Sequence, residues 1–84
     1  MFYVYVLKSL KDSELYIGST NNLKRRFAEH QNGESFSTQF RHPFELVYYE
    51  AYKNEKDARL REQALKLRGN ARRFLKERIE RSLE

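Results

Sequence analysis

Two short apolar runs, FYVYVL at residues 2–7 and LYIGST at residues 15–20, are separated only by the polar segment KSLKDSE. Aromatic and β-branched residues dominate the first, as suits a buried strand. So short a connection cannot carry the crossover of a dozen or more residues that parallel strands need. The runs must therefore pair as antiparallel neighbours. On the first strand, period-2 alternation puts Tyr3, Tyr5 and Leu7 on one face and Phe2, Val4 and Val6 on the other. On the second, Tyr16 and Gly18 share a face.

The remaining segments follow from their ends and periods. Asn22 reads as a helix N-cap, with the helix running to about Gln31 and Gly33 as its stop. Residues 32–43 form a loop or short helical turn closed by Pro43, and FELVYYEAY at 44–52 is a third strand. Its neighbours Tyr48 and Tyr49 must point to opposite sides. Asn54, with Asp57 three residues on, opens a second long helix that ends near Gly69. Its apolar arc is Ala58, Leu60, Ala64, Leu65 and Leu67, and residues 70–82 read as a last, basic helix. The order β-β-α-(turn)-β-α-α predicts an α/β (α+β) fold, a three-stranded antiparallel sheet flanked by helices, as a single domain over 1–84.

Composition narrows the function classes. A chain of 84 residues without cysteine has no disulfide or zinc-finger staple, so its six Tyr and six Phe must fill much of the core. No apolar run approaches the ~20 residues that span a bilayer. The N-terminus lacks the basic region and small-residue cleavage site of a signal peptide, so it reads as a strand. A cytoplasmic setting and no membrane partner are expected. The net charge of +5 favours an anionic partner, with nucleic acid the commonest soluble one.

The first helix carries its charges unevenly. At about 100° per residue from Leu23, Phe27 lies at about +40°, His30 at about −20° and Arg26 at about −60°, with Arg25 at about −160°. Leu23 and Phe27 face the core, so Arg26 and His30 flank a buried face and Arg25 points to water. An arginine at such an edge either snorkels over the sheet or meets a negative group, a carboxylate or a phosphate. On the next helix Glu62 falls beside the Ala58–Leu65 edge of the arc, as an exposed glutamate, a metal ligand or the partner of an arginine.

Tyr3-Val4-Tyr5, Tyr16-Ile17-Gly18, the helix NLKRRFAEH and the glutamate in RLREQALK together resemble the GIY-YIG nuclease family over about residues 2–76. Among its members the chain is most similar to the small single-domain ones related to the N-terminal domain of the excision-repair nuclease. The resemblance implies a metal-dependent endonuclease that hydrolyses a phosphodiester in one DNA strand, on repair or recombination intermediates. It implies one divalent ion, Mg²⁺ or Mn²⁺, on Glu62. It places the two motif tyrosines on Tyr5 and Tyr16, the helix arginine on Arg26, and His30 where relatives carry His or Tyr. Tyr3 and Val4 stand where the first motif has Gly and Ile, and Ser19 follows the second motif where excision-repair relatives have lysine. Ser19 is accordingly a candidate nucleic-acid contact in place of that lysine. No second DNA-binding domain is expected, so a structured substrate or a protein partner would supply targeting. The alternative is a non-catalytic or partner-dependent nucleic-acid-binding module.

The chemistry asks for an activated water, charge stabilisation on the phosphate and help for the leaving oxygen. Mg²⁺ held by one carboxylate keeps several waters, and an arginine fork suits phosphate oxygens. Either Tyr16 or His30 serves as the base: a free tyrosine has a pKa near 10, whereas histidine lies near 6.5. Gly18 is expected to leave room for the substrate backbone. Arg68, Arg72, Arg73 and Lys76 form either a phosphate-tracking surface or a solvated face with local pairs to Glu77 and Glu80.

Overall fold

The computed structural model describes residues 1–84. Its central strand is the N-terminal one. Strand β1 (Phe2–Ser9) pairs antiparallel with β2 (Leu15–Thr20) on one side and β3 (Phe44–Tyr52) on the other, giving the order β2-β1-β3. The short polar connection enforces the first pairing. In this register Tyr5 lies opposite Gly18 on one side and Tyr49 on the other, and a bulge between Val6 and Leu7 interrupts the β3 ladder. Three helices cover the sheet: α1 (Leu23–Gln31), α2 (Glu55–Lys66) and α3 (Asn70–Arg78), followed by a 3₁₀ turn at Glu80–Leu83.

Strand alternation divides the interior in two. Val4, Val6 and Ile17 bury against Ala58 and Leu65 of α2, Leu75 of α3 and Ile79. On the opposite face Tyr5, Leu7 and Phe44 form a second core, with Tyr16, Leu23, Phe27 and Leu46 packed around it. Helix α1 therefore covers the face that carries both motif tyrosines. Helix α2 covers the other.

Local signals account for the helix ends. The Asn22 side chain accepts from the Arg25 N–H, and Asn54 accepts from the Lys56 N–H, each satisfying an orphan donor of the first turn. Gly33, at φ +71, takes the left-handed conformation that ends α1. Four expectations about the strands and helices need correction. Strand β1 runs on to Ser9, whose hydroxyl donates to the Arg41 carbonyl (2.6 Å). Helix α2 stops at Lys66, with Leu67 already extended. The last helix ends at Arg78, where Ile79 leaves helical geometry to plug the core. Leu60 and Leu67 do not belong to the buried arc; they are 54% and 69% exposed, because α2 buries only the narrow Ala58–Leu65 stripe against a small sheet.

A polar clamp fixes the rotation of α2. The Arg61 guanidinium donates to both carboxylate oxygens of Glu50 on β3, with Nε–Oε1 at 3.0 Å and Nη2–Oε2 at 3.0 Å. The Tyr48 and Tyr52 hydroxyls donate to the same carboxylate. Successive residues of α2 thus diverge: Arg61 reaches the β3 edge, and Glu62 reaches Ser19 on the β2 edge.

Gly18 is required by Tyr5. A Cβ at position 18 would stand 2.4 Å from the Tyr5 hydroxyl and 2.6 Å from its ring carbon. The glycine makes room for a neighbouring tyrosine, rather than for substrate backbone as expected. Tyr5 is buried and hydrogen-bonded, so it has nowhere to retreat. Gly18→Ala is expected to destabilise the protein by about 1–3 kcal/mol. Thermal unfolding followed by circular dichroism would show the midpoint falling by about 4–8 °C per kcal/mol; an unchanged midpoint would contradict this packing.

Candidate active site

The α1 face of the sheet brings three rings together. Ring centroids of Tyr5 and Tyr16 are 6.4 Å apart, those of Tyr5 and His30 5.7 Å, and those of Tyr16 and His30 5.1 Å. Tyr5 and Tyr16 share this face because the hairpin register sets them two residue pairs apart, diagonally on adjacent strands. His30 arrives from the last turn of α1, on the face predicted from the helix period.

His30 is fully buried. Its Nε2 meets the Tyr5 hydroxyl at 2.8 Å and its Nδ1 meets the Thr38 hydroxyl at 2.6 Å. A neutral ring satisfies both bonds, one nitrogen donating and the other accepting. Burial and the nearby Arg26 cation push the His30 pKa down to about 4. The Tyr5 phenol is pushed up to about 12 by burial, against the opposing effect of Arg26. At neutral pH both groups are uncharged, and neither reaches solvent as a base. Tyr16 differs: its ring is half-buried, and its hydroxyl lies at the surface, 3.3 Å from the Ser37 hydroxyl.

Arg26 lies at the edge of this cluster. Its guanidinium donates to the Glu29 carboxylate (2.9 Å) and to the Ser35 hydroxyl (3.0 Å). Ser35 in turn lies 3.4 Å from Ser37, so a chain of hydroxyls joins Arg26 to Tyr16. Arg25 is exposed, as expected, and pairs loosely with Glu29 at 3.6 Å. The partner that an edge arginine needs is therefore Glu29 within its own helix, an i,i+3 pair.

Glu62 approaches from the other face, around the free edge of β2. The Ser19 hydroxyl donates to its Oε1 at 2.7 Å, and Lys66 Nζ lies 2.9 Å from its Oε2. Burial alone would raise its pKa, but these two partners outweigh it and hold the carboxyl below the usual range. The Glu62 charge is also felt at the Tyr5 phenol. Between α1 and the start of α2, at the end of β2, lies a cleft of about 330 Å³ lined mainly by polar residues, among them Ser19, Asn21, Arg26, Glu29, Glu55 and Arg59.

No group of three or more His, Cys, Asp or Glu is arranged to hold a metal. Glu62 therefore has no second and third His, Cys or carboxylate ligand beside it, as a structural zinc site would need. The ionised Glu62, with the Ser19 hydroxyl beside it, fits a Mg²⁺-type ion instead, which takes one or two carboxylates and keeps waters. Lys66, half-exposed at the helix surface, is a displaceable occupant of the second oxygen.

The structure thus gathers Tyr5, Tyr16, Arg26 and His30, and sets Glu62 with Ser19 at the adjoining strand edge. Ser19 is engaged with Glu62. Arg68, Arg72, Arg73 and Lys76 line a separate depression of about 480 Å³ at the α2–α3 junction, where Arg73 also pairs with Glu77. Sequence reasoning missed Ser35, Ser37 and Thr38, the hydroxyls that hold Arg26, Tyr16 and His30. The signal available was the hydroxyl-rich ESFST just beyond the histidine-bearing helix. It missed Lys66 and Glu29 as well.

Comparison with known proteins shows the family of the chain. The family model for the GIY-YIG catalytic domain matches residues 1–76. A UPF0213 protein of Clostridium perfringens is 46% identical over 67 residues, covering 79% of this chain and 71% of the relative. One from Natronomonas pharaonis is 46% identical over 65 residues, covering 76% and 75%. One from Oceanobacillus iheyensis is 38% identical over 65 residues, covering 76% and 74%. No solved structure matches significantly. No helix is long and apolar enough to cross a membrane.

Burial of His30 has a pH signature. Its folded pKa, about 4, lies below the ordinary 6.5, so the unfolded chain binds the extra proton. Stability from this group is complete above about pH 6.5 and is lost as pH falls towards 4, by about 3 kcal/mol in all. Urea unfolding at intervals from pH 4 to 8 should show that slope, and NMR should find the imidazole still neutral at pH 5. A His30 imidazole titrating near 6.5 in the folded protein would refute its burial between Tyr5 and Thr38.

Proposed function

We propose, from the premise that the chain belongs to the GIY-YIG family, that it is a metal-dependent endonuclease hydrolysing a phosphodiester in one strand of DNA. The observation that carries this reading is the hydroxyl-bridged link between Arg26 and Tyr16 at a polar cleft, with an ionised Glu62 at the adjoining strand edge. Those groups supply a phosphate clamp, a surface hydroxyl that can handle a proton, and a hard oxygen ligand.

In this reading Arg26 binds a non-bridging phosphate oxygen, and its fork meets the charge that grows as water attacks. Tyr16, acting as its phenolate, orients that water and takes its proton, becoming the neutral phenol, while the leaving sugar oxygen is protonated from solvent. The new O–P bond forms as the bond to the leaving sugar oxygen breaks. One Mg²⁺ or Mn²⁺ on Glu62, with Ser19 beside it, would when bound supply positive charge at the phosphate. Tyr5 and His30 act as positioning residues: their buried bond holds the wall against which Tyr16 packs. The full burial of His30, with both nitrogens bonded, favours Tyr16 over His30 as the base. Repair or recombination intermediates are the proposed substrates. Arg68, Arg72, Arg73 and Lys76 would hold flanking phosphates away from the cleft.

Cleavage of labelled single-stranded, duplex and branched DNA with Mg²⁺, Mn²⁺ or EDTA tests this. Wild type should cut only with metal. Arg26→Ala and Tyr16→Phe should each lose about 10²–10³-fold in rate, and Glu62→Gln should lose metal dependence together with activity. A folded wild type that binds these DNAs and cuts none would establish a binding module instead.

A further inference from the structure

The loop between α1 and β3 does two opposite things with neighbouring residues. Ser35 and Thr38 are buried, and bond Arg26 and His30. Phe36 and Phe40 stand in solvent, 90% and 77% exposed. Phe36 sits between Ser35, which holds Arg26, and Ser37, which touches Tyr16. Along the chain it is one residue from each of the two hydroxyls that hold the groups proposed to meet the scissile phosphate.

The loop is also held at its far end. Ser9 donates to the Arg41 carbonyl, Lys11 Nζ donates to the Phe40 carbonyl at 3.0 Å, and Arg41 pairs with Asp12 at 3.0 Å. Its phenylalanines are therefore presented on an anchored turn, and each costs hydration without any hydrogen bond in return. An aromatic ring offered beside a phosphate clamp, on a chain of net charge +5, has the chemistry of a base-stacking platform. Every base has a π-face, so such a platform accepts any sequence, but only bases outside a duplex stack present that face.

We propose that Phe36 and Phe40 form a stacking site for unpaired nucleobases flanking the scissile phosphate, which directs this site to single-stranded stretches of DNA. This rests on the nuclease reading for the position of the phosphate, and it concerns binding rather than cutting.

The test reads binding by fluorescence anisotropy, in protein carrying Glu62→Gln so that bound DNA stays intact. The probes are a short labelled single strand, a strand of equal length made of abasic sites, and a duplex of the same sequence. Phe36→Ala/Phe40→Ala should weaken single-strand binding by roughly tenfold per base stacked. It should alter abasic-strand and duplex binding less than twofold, and Phe36→Trp should retain the preference for bases. Both side chains are exposed, so an unchanged thermal midpoint is expected and is checked first. Equal losses on the base-bearing and abasic strands would overturn the inference, as would no loss on either. So would a dimer in sedimentation that the double variant makes monomeric without any base-dependent change. Cutting by the protein with Glu62 intact is scored separately. Base stacking without cutting would sink the nuclease reading alone, and cutting with no preference for bases would sink the stacking site alone.

Discussion

The fold of the site hangs on one buried hydroxyl. Tyr5 lies on the central strand, crosses Gly18 on its neighbour and ends on His30. That single bond joins β1 to α1 through the space left by a missing side chain on β2. A buried polar group must be paired, and leaving it unpaired costs about 1–3 kcal/mol. Thr38 completes the pairing of His30, so the loop after α1 is drawn into the same requirement. No buried side-chain nitrogen or oxygen is left without a partner. Burial makes Tyr5 and His30 rigid and neutral, and leaves Tyr16 and Arg26 at the surface on a fixed wall.

The second half of the site is built by a different logic. Glu62 belongs to a helix that packs on the opposite face of the sheet, and it meets Ser19, at the rim of the cleft, because β2 is an edge strand. Serine at position 19 matters here because it alternates away from Tyr16 and Gly18, onto the α2 side. It therefore meets Glu62 rather than solvent. The carboxylate is held ionised by a hydroxyl and an ammonium, of which the ammonium is the more readily displaced.

Much of this was legible in the sequence, because local chemistry and global packing agree. The hairpin, the faces of β1, the limits of β3 and the caps at Asn22 and Asn54 follow from alternation and capping alone. Helix periodicity separated Arg26 and His30 from Arg25. What was not legible depends on distance in space. Leucines at 60 and 67 read as core, but the sheet is too narrow to cover them. Gly18 read as an opening for substrate, whereas the register fills that opening with Tyr5. The Ser35, Ser37 and Thr38 hydroxyls lie in a loop without periodicity, so nothing local could assign them to Arg26, Tyr16 and His30. The Glu50–Arg61 clamp joins a strand and a helix whose pairing only the folded chain reveals.

That clamp has a genetic consequence. Arg61 and Glu62 are adjacent in the chain but serve opposite edges of the sheet, so the first sets the azimuth at which the second emerges. A selection for loss of whatever Glu62 does would recover changes at Arg61, Glu50, Tyr48 and Tyr52. These positions touch nothing in the cleft and would be misread as a second site. Second-site revertants should separate the two classes. Lesions at the clamp can be rescued by any contact that restores the roll of α2, and lesions at Glu62 cannot.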